Sequence, residues 1–399
     1  MIIQAAARHG LSQVLIIHAL TAGNLSAANK ATEVTPKSAS AHVADAALLT
    51  ATNAPDQARV ELERAVSLRP TDYLLWTRLG LLRDQTGDNA GAIKAFDEAV
   101  RRAPFYSEPR WNRGNVLLRG GQYEAAFSDL NQAAQSNPEL VPGLVDLAWG
   151  ISRGDVKLTE ELAQINTDSK RIAFARLLAR RGKSQQAVAK LAEVGTVPER
   201  VKRELVEQLM TQKEFKSAFE IWKRGQGSNT SGPAGGVIYD GGFEGPLSFG
   251  EAGFGWRVAR DLQAVAISVD SSAPQSGAKD LRVEFNGNSN AVLPLVTQVV
   301  LVEPAKRYRI NFASRSQDLV TGGLPIVVVT DASGDLRRLG QSVTLSKGTS
   351  DWQVYSFELT TTAQTSAVLL SLQRENCTTS PCPSFGSIQL DSFSLEQLN

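Results

Sequence analysis

The chain has 399 residues, 42% of them apolar and 21% charged, with a formal net charge of +1. This is ordinary soluble globular composition, with length enough for two or three domains. Thirty basic residues against twenty-five acidic precede Ser228, and twelve against sixteen follow it; neither part is basic enough to point to nucleic acid, and no basic run is interleaved with aromatics.

The first apolar run is Val14–Leu20, preceded by Arg8 and interrupted by His18. It is too short to span a bilayer. It has the outline of an export signal, but its spacing reads better as the amphipathic first helix of the array that follows. His9 and His18 read as ordinary helix residues.

A proline then recurs at Pro36, Pro70, Pro104 and Pro138, steps of 34, with Ala31, Ala65, Ala99 and Ala133 each five residues ahead. A fixed period of this length predicts stacked helical hairpins. The best copy, Tyr73 to Tyr106, carries Trp76, Leu79-Gly80, Gly87, Ala92, Phe96, Ala99 and Pro104. Small Gly80, Ala92 and Ala99 let the two helices approach, Trp76, Leu79 and Phe96 fill the space around them, and Pro104 ends the second helix. The copies from Ala39 and Ser107 keep most of this pattern but place Asp45 and Arg113 where the best copy has Leu79. These residues closely resemble the tetratricopeptide repeat family, most specifically over residues 39–140. Past Pro138 the spacing slips, yet helical pairs continue, so a tetratricopeptide-like α-solenoid of about six hairpins is expected over residues 1–226.

The resemblance implies a groove for a protein partner, lined by the first helix of each hairpin. Its inward positions fall on Leu74, Thr77, Leu81, Asp84 and Gln85 in the best copy, and on Glu108, Trp111, Asn115, Leu118 and Arg119 in the next. Trp111, Asn115 and Arg119 lie four apart on one helix face and would suit an extended peptide by stacking, backbone hydrogen bonding and carboxylate pairing. The alternative is that Trp111 packs into the neighbouring repeat and Arg119 is solvated.

At Gly225 the texture changes. Residues 227–236 are rich in Gly, Ser and Pro and read as a linker. From residue 237 to 399, short β-rich runs alternate with turn clusters. Candidate strands are Val237–Tyr239, Val265–Val269, Leu281–Asn286, Val292–Val302, Arg307–Ser314, Ile326–Thr330, Gln353–Leu359, Val368–Gln373 and Ser387–Leu395. About nine strands fit an antiparallel two-sheet sandwich of the jelly-roll kind. The fold class is therefore α + β in two domains.

The sandwich opens with Asp240-Gly-Gly-Phe243-Glu244 and Gly255-Trp256, and closes with Gln389-Leu390-Asp391-Ser392-Phe393-Ser394-Leu395. This looks like the galactose-binding-like jelly rolls that include many carbohydrate-binding modules. The resemblance implies a glycan ligand and a structural calcium at Asp240, Glu244 and Asp391; alternatively these carboxylates only satisfy backbone amides. Sugars stack on aromatic rings and pair their hydroxyls with polar groups. That makes Trp256, Tyr239, Arg257 and Arg315 the leading glycan-binding residues, with Trp352, Tyr355, Asp318 and Arg374 as further candidates. Trp256 and Trp352 could equally be core residues.

Cys377 and Cys382, the only cysteines, read either as a small loop disulfide or as two reduced thiols; a metal site lacks partner ligands. Oxidised, they imply an extracytoplasmic compartment, the periplasm or cell envelope. No histidine follows His42, and neither G-x-S-x-G nor H-E-x-x-H occurs, so no enzyme is expected. The sequence thus predicts a non-catalytic scaffold of the bacterial envelope. Its groove takes a protein partner, and its jelly roll binds a glycan in surface polysaccharide assembly or export. The alternative is a pure protein-interaction scaffold with a structural sandwich.

Overall fold

The computed structural model describes residues 2–225, 237–249, 251–260, 262–288, 293–377 and 382–398. The expected linker at 227–236 lies outside the described residues. The helices form consecutive pairs: α1 (Ile2–Ala22) with α2 (Leu25–Val34), α3 (Ala39–Ala51) with α4 (Pro55–Leu68), α5 (Tyr73–Gln85) with α6 (Asn89–Arg102), α7 (Ser107–Arg119) with α8 (Tyr123–Ser136), α9 (Val141–Ile151) with α10 (Val156–Ala163), α11 (Asp168–Arg180) with α12 (Ser184–Ala192), and α13 (Glu199–Thr211) with α14 (Phe215–Trp222). The strands follow: β1 (Ser248–Phe249), β2 (Arg257–Val258), β3 (Val265–Asp270), β4 (Asp280–Asn288), β5 (Val296–Leu301), β6 (Arg307–Thr321), β7 (Pro325–Asp331), β8 (Arg338–Gln341), β9 (Gly348–Thr360), β10 (Ala367–Arg374) and β11 (Pro383–Leu398). Among the described residues no helix is long and apolar enough to cross a membrane.

By compactness the chain divides into two units, Met1–Phe174 and Ala175–Asn399. In the first, each periodic proline follows a helix end. Thr35, Arg69, Ala103 and Asn137 sit between the last helical residue and the proline, and all have left the helical conformation, as proline demands of its predecessor. Asn24, Ser38, Asp72 and Asp88 cap the helices that follow them, their side chains accepting from backbone amides.

The small residues of the repeat mark where helices touch. A Cβ on Gly80 would stand 2.7 Å from the Phe96 ring, and one on Gly114 would stand 2.8 Å from Leu130 Cγ. Ala92, Ala99, Ala126 and Ala133 have no exposed surface. The Trp76 indole donates to Pro70 O at 2.8 Å and lies under the Arg102 guanidinium. Helix α1 forms as expected, but it is not cleanly amphipathic. Ile16 and Ala19 are buried while Leu11, Val14 and Ile17 stay more than half exposed.

In the second unit two sheets share one core. Their strand orders are β1-β2-β5-β10-β7-β8 and β3-β4-β11-β6-β9. All pairings are antiparallel except the short β1–β2 pair. Val300, Val327, Val329 and Leu370 from the first sheet pack with Val283, Ile310, Phe312 and Leu390 from the second. The candidate strand at Val237–Tyr239 is not one: these residues enter a turn, where the Tyr239 backbone pairs with the Gln298 side chain instead of a neighbouring strand. Short strands β1, β2 and β8 lacked enough residues to show a period.

The compact boundary falls well before residue 226 because the last helical pair is packed on the sandwich. Trp222 meets Tyr239 edge-on at 4.8 Å and Phe254 at 5.7 Å, Phe219 meets Phe254 edge-on at 5.1 Å, and Lys213 Nζ donates to Gly334 O at 2.6 Å. Aromatic contacts of this kind add to their buried area. The sulfurs of Cys377 and Cys382 are joined as a disulfide, and the fully buried Arg374 guanidinium donates to Cys382 O, Thr321 Oγ1 and Gly323 O.

If the glycines set helix spacing, Gly80→Ala should destabilise the chain by about 1–3 kcal/mol through overpacking. Gly10, mid-helix with nothing within 4 Å of a Cβ, should show the opposite: Gly10→Ala should stabilise by about 0.5–1 kcal/mol. Denaturant melts of both variants check the contrast.

Candidate functional site

The helical unit carries a groove of about 650 Å³ between α1, α3 and α5. Ile16, Leu20, Val43, Leu74 and Leu81 give it apolar walls, and Arg69 and Arg78 lie on its lining. Leu20 and Leu74 are 53% and 44% exposed, so these walls face open space. Neither guanidinium has a hydrogen bond or ion pair among the described residues. The one acidic lining residue, Asp72, accepts from Leu74 N at its own helix start. The groove thus has an apolar floor and uncompensated positive charge.

The expected groove residues only partly line it. Leu81 does. Thr77 is a correction: it is 2% exposed and its hydroxyl donates back to Tyr73 O. The Trp111 ring edge lies 3.3 Å from where a Cβ on Gly143 would stand, so it touches the next helical pair while the residue stays half-buried. Asn115 Nδ2 donates to Trp111 O at 2.8 Å within its own helix, and Arg119 pairs with Asp84. The aromatic–amide–guanidinium row exists on α7, but each member is already engaged.

The two departures from the repeat pattern are answered by buried polar networks. Arg113 donates to Asp129 through Nε and Nη2, both at 2.6 Å, and to Asp97 through Nη1 at 2.6 Å. Asp129 is 4% exposed. Its hydrogen bonds hold the Arg113 guanidinium above its ordinary pKa. Asp45 is buried beside the His42–Glu61 pair, which meets at 2.5 Å. Burial first, then the nearby Glu61 charge, push its carboxyl up to about 6.

On the sandwich, the leading glycan residues do not come together. Trp256 is a correction. It is 4% exposed, stacked on Phe243 at 4.8 Å and edge-on to Phe393, with its indole donating to Asp240 O at 2.7 Å. Tyr239 packs against Trp222, and burial raises its phenol. Arg257 lies on β2, its Nε buried without a hydrogen-bond partner. Tyr355 is stacked on Phe312 in the core, and Arg374 is wholly buried. Arg315 stays on a polar surface, over the half-buried Trp352 ring at 5.0 Å, and Asp318 is exposed, accepting from Thr349 Oγ1 at 3.1 Å.

That surface is the side of the β3-β4-β11-β6-β9 sheet facing away from the core. Ile388 and Leu390 point inward, so Gln389 points out. Gln389 accepts from Arg315 Nε at 2.7 Å and donates to Asp270 at 3.0 Å and Asp280 at 3.1 Å. Burial raises the Asp280 carboxyl, while the Ser272 backbone amide lowers that of Asp270. Sequence reasoning missed Gln389, Asp270 and Asp280; the outward positions of neighbouring strands were the available signal.

The three proposed calcium ligands serve the backbone instead. Asp240 accepts from Glu244 N and Gly245 N at 2.8 and 3.0 Å, Glu244 from Ala278 N at 2.7 Å, and Asp391 from Ser276 N at 2.9 Å. Among the described residues no three acidic, histidine or cysteine side chains are placed to hold a metal ion. The trio ties loops together.

The tetratricopeptide repeat family model matches residues 77–142. Protein FlbA of Caulobacter vibrioides is 37% identical over 84 residues, 21% of this chain and 14% of FlbA. The matched stretch is thus a small part of that protein. Among solved structures, MamA of Desulfovibrio magneticus aligns at 15% identity and a TM-score of 0.34, over 40% of this chain and 92% of its own. YrrB, described as a tetratricopeptide protein with an unusual peptide-binding site, aligns at 17% identity and a TM-score of 0.28, over 52% of this chain and 95% of its own. Residues 77–142 carry tetratricopeptide-type repeats.

Removing Asp129 strips the Arg113 guanidinium of its buried two-point partner and leaves it the more exposed Asp97 alone, so Asp129→Ala should destabilise by about 3 kcal/mol, measured by thermal and urea melts. For Asp45 the unfolded chain ionises near the ordinary 3.8 and the folded chain near about 6. Folding therefore takes up a proton in that interval, and this group's contribution falls as pH rises from 3.8 through 6. Asp45→Asn should raise stability at pH 7 by about 1–2 kcal/mol and leave it unchanged near pH 4. An identical pH profile in both proteins would contradict the assignment.

Proposed function

We propose that this chain is a non-catalytic scaffold whose α1/α3/α5 groove captures a partner segment bearing apolar side chains and a carboxylate. The observation that carries this is the pairing of an apolar groove with Arg69 and Arg78, two guanidiniums on a lining that holds one carboxylate, Asp72. Apolar side chains on the segment would bury against Val43, Leu74 and Leu81, and a carboxylate would meet a guanidinium fork. The disulfide favours an extracytoplasmic setting in the cell envelope.

A second reading concerns the sandwich. Strands β4-β11-β6-β9 and β5-β10-β7-β8 follow one another as the two sheets of a jelly roll do, with β3 and the β1–β2 pair added at edges. The half-buried row of Asp270, Arg282, Arg315 and Trp352, seated over the buried Gln389, supports a glycan ligand there, because it joins an aromatic ring to donors and acceptors. A role in surface polysaccharide assembly or export would follow from both sites together.

Peptide-display selection on the whole chain tests the groove. Acidic, apolar peptides should be enriched, and binding should fall by more than about tenfold in Leu74→Arg and in Arg78→Glu. Unselective enrichment, or peptides that bind both variants unchanged, would sink the reading. Glycan binding lost in Trp352→Ala, with the peptide site intact, would support the second reading.

A further inference from the structure

A separate cavity of about 470 Å³ opens beside α8, the turn before α9 and the segment leading into α11. Its lining holds five amide side chains, three hydroxyls and a single charge, Lys170. No carboxylate lines it among the described residues.

Lys170 is 7% exposed. Its Nζ donates to Asn131 Oδ1 at 2.7 Å and to Ala163 O at 2.9 Å, both neutral acceptors, and no acidic group pairs with it. An ammonium has three donors, so one remains. Asn131 is held for this task, since its Nδ2 donates to Phe127 O and Leu162 O, each at 2.8 Å. Burial alone pulls the Lys170 ammonium below its ordinary pKa. Buried charges are normally paired; here no counterion stands among the described residues, and a cavity lies where one could enter.

We propose that this cavity binds a small carboxylate rich in hydroxyl groups, of the uronic acid class. One lysine matches one negative charge. Hydroxyl groups both donate and accept, and so do the amides of Gln135, Gln164 and Asn166 around the cavity. A phosphate dianion would call for more positive charge than one lysine supplies. The site shares no residue with the α1/α3/α5 groove and stands or falls apart from it.

The test is calorimetric titration of the whole chain with D-glucuronate, D-glucose, inorganic phosphate and N-acetyl-dialanine. Glucuronate should bind more than about tenfold more tightly than the other three. Lys170→Met should abolish binding. Gln135→Glu alters an exposed position and so should fold normally; its new carboxylate in the lining should weaken glucuronate by more than about tenfold. Absent glucuronate binding, equal binding of glucose, tighter binding of phosphate or of the dipeptide, or full binding by Gln135→Glu would each overturn the proposal.

Discussion

The helical array depends on contacts at which a side chain is missing. Phe96 can lie against α5 only because residue 80 has no Cβ, and Leu130 against α7 only because residue 114 has none. That close approach leaves the first helices of successive pairs free to form a continuous wall. A single pair cannot bury its own apolar face, so the wall exists only where pairs stack.

This geometry explains what the sequence made legible. Proline acts on its neighbours along the chain, and a glycine that admits a ring repeats wherever the contact repeats, so period and packing were readable together. The free part of the groove was not. Position within a repeat says which face a residue occupies, but not whether the next pair covers it. Trp111 has the right position and packs against Gly143, while Val43 holds the same position two repeats earlier and remains on the lining with Ser40 and Thr50. The charged departures Asp45 and Arg113 looked like weak repeats, yet Arg113 is matched by Asp129 and Asp97, residues that the repeat pattern does not specify.

In the second unit, alternation of apolar residues marked most strands because one face of each is buried in the shared core. Binding residues were less legible. Trp256 was singled out for its aromatic face, but it sits near the Asp240–Glu244 turn, where Phe243 and Phe393 bury it. Texture and compactness divide the chain differently: composition changes at Gly225, but Trp222 and Phe219 are packed on Tyr239 and Phe254. Composition records where the chain changes texture, and aromatic packing decides what stays together.

The central claim is that partner capture occurs on the α1/α3/α5 wall. Hydrogen-exchange protection of the whole chain, with and without a saturating selected peptide, tests it most directly. The account predicts added protection confined to segments around residues 39–50 and 69–85. Protection centred instead on α7 and α8, or on the sandwich alone, would contradict it.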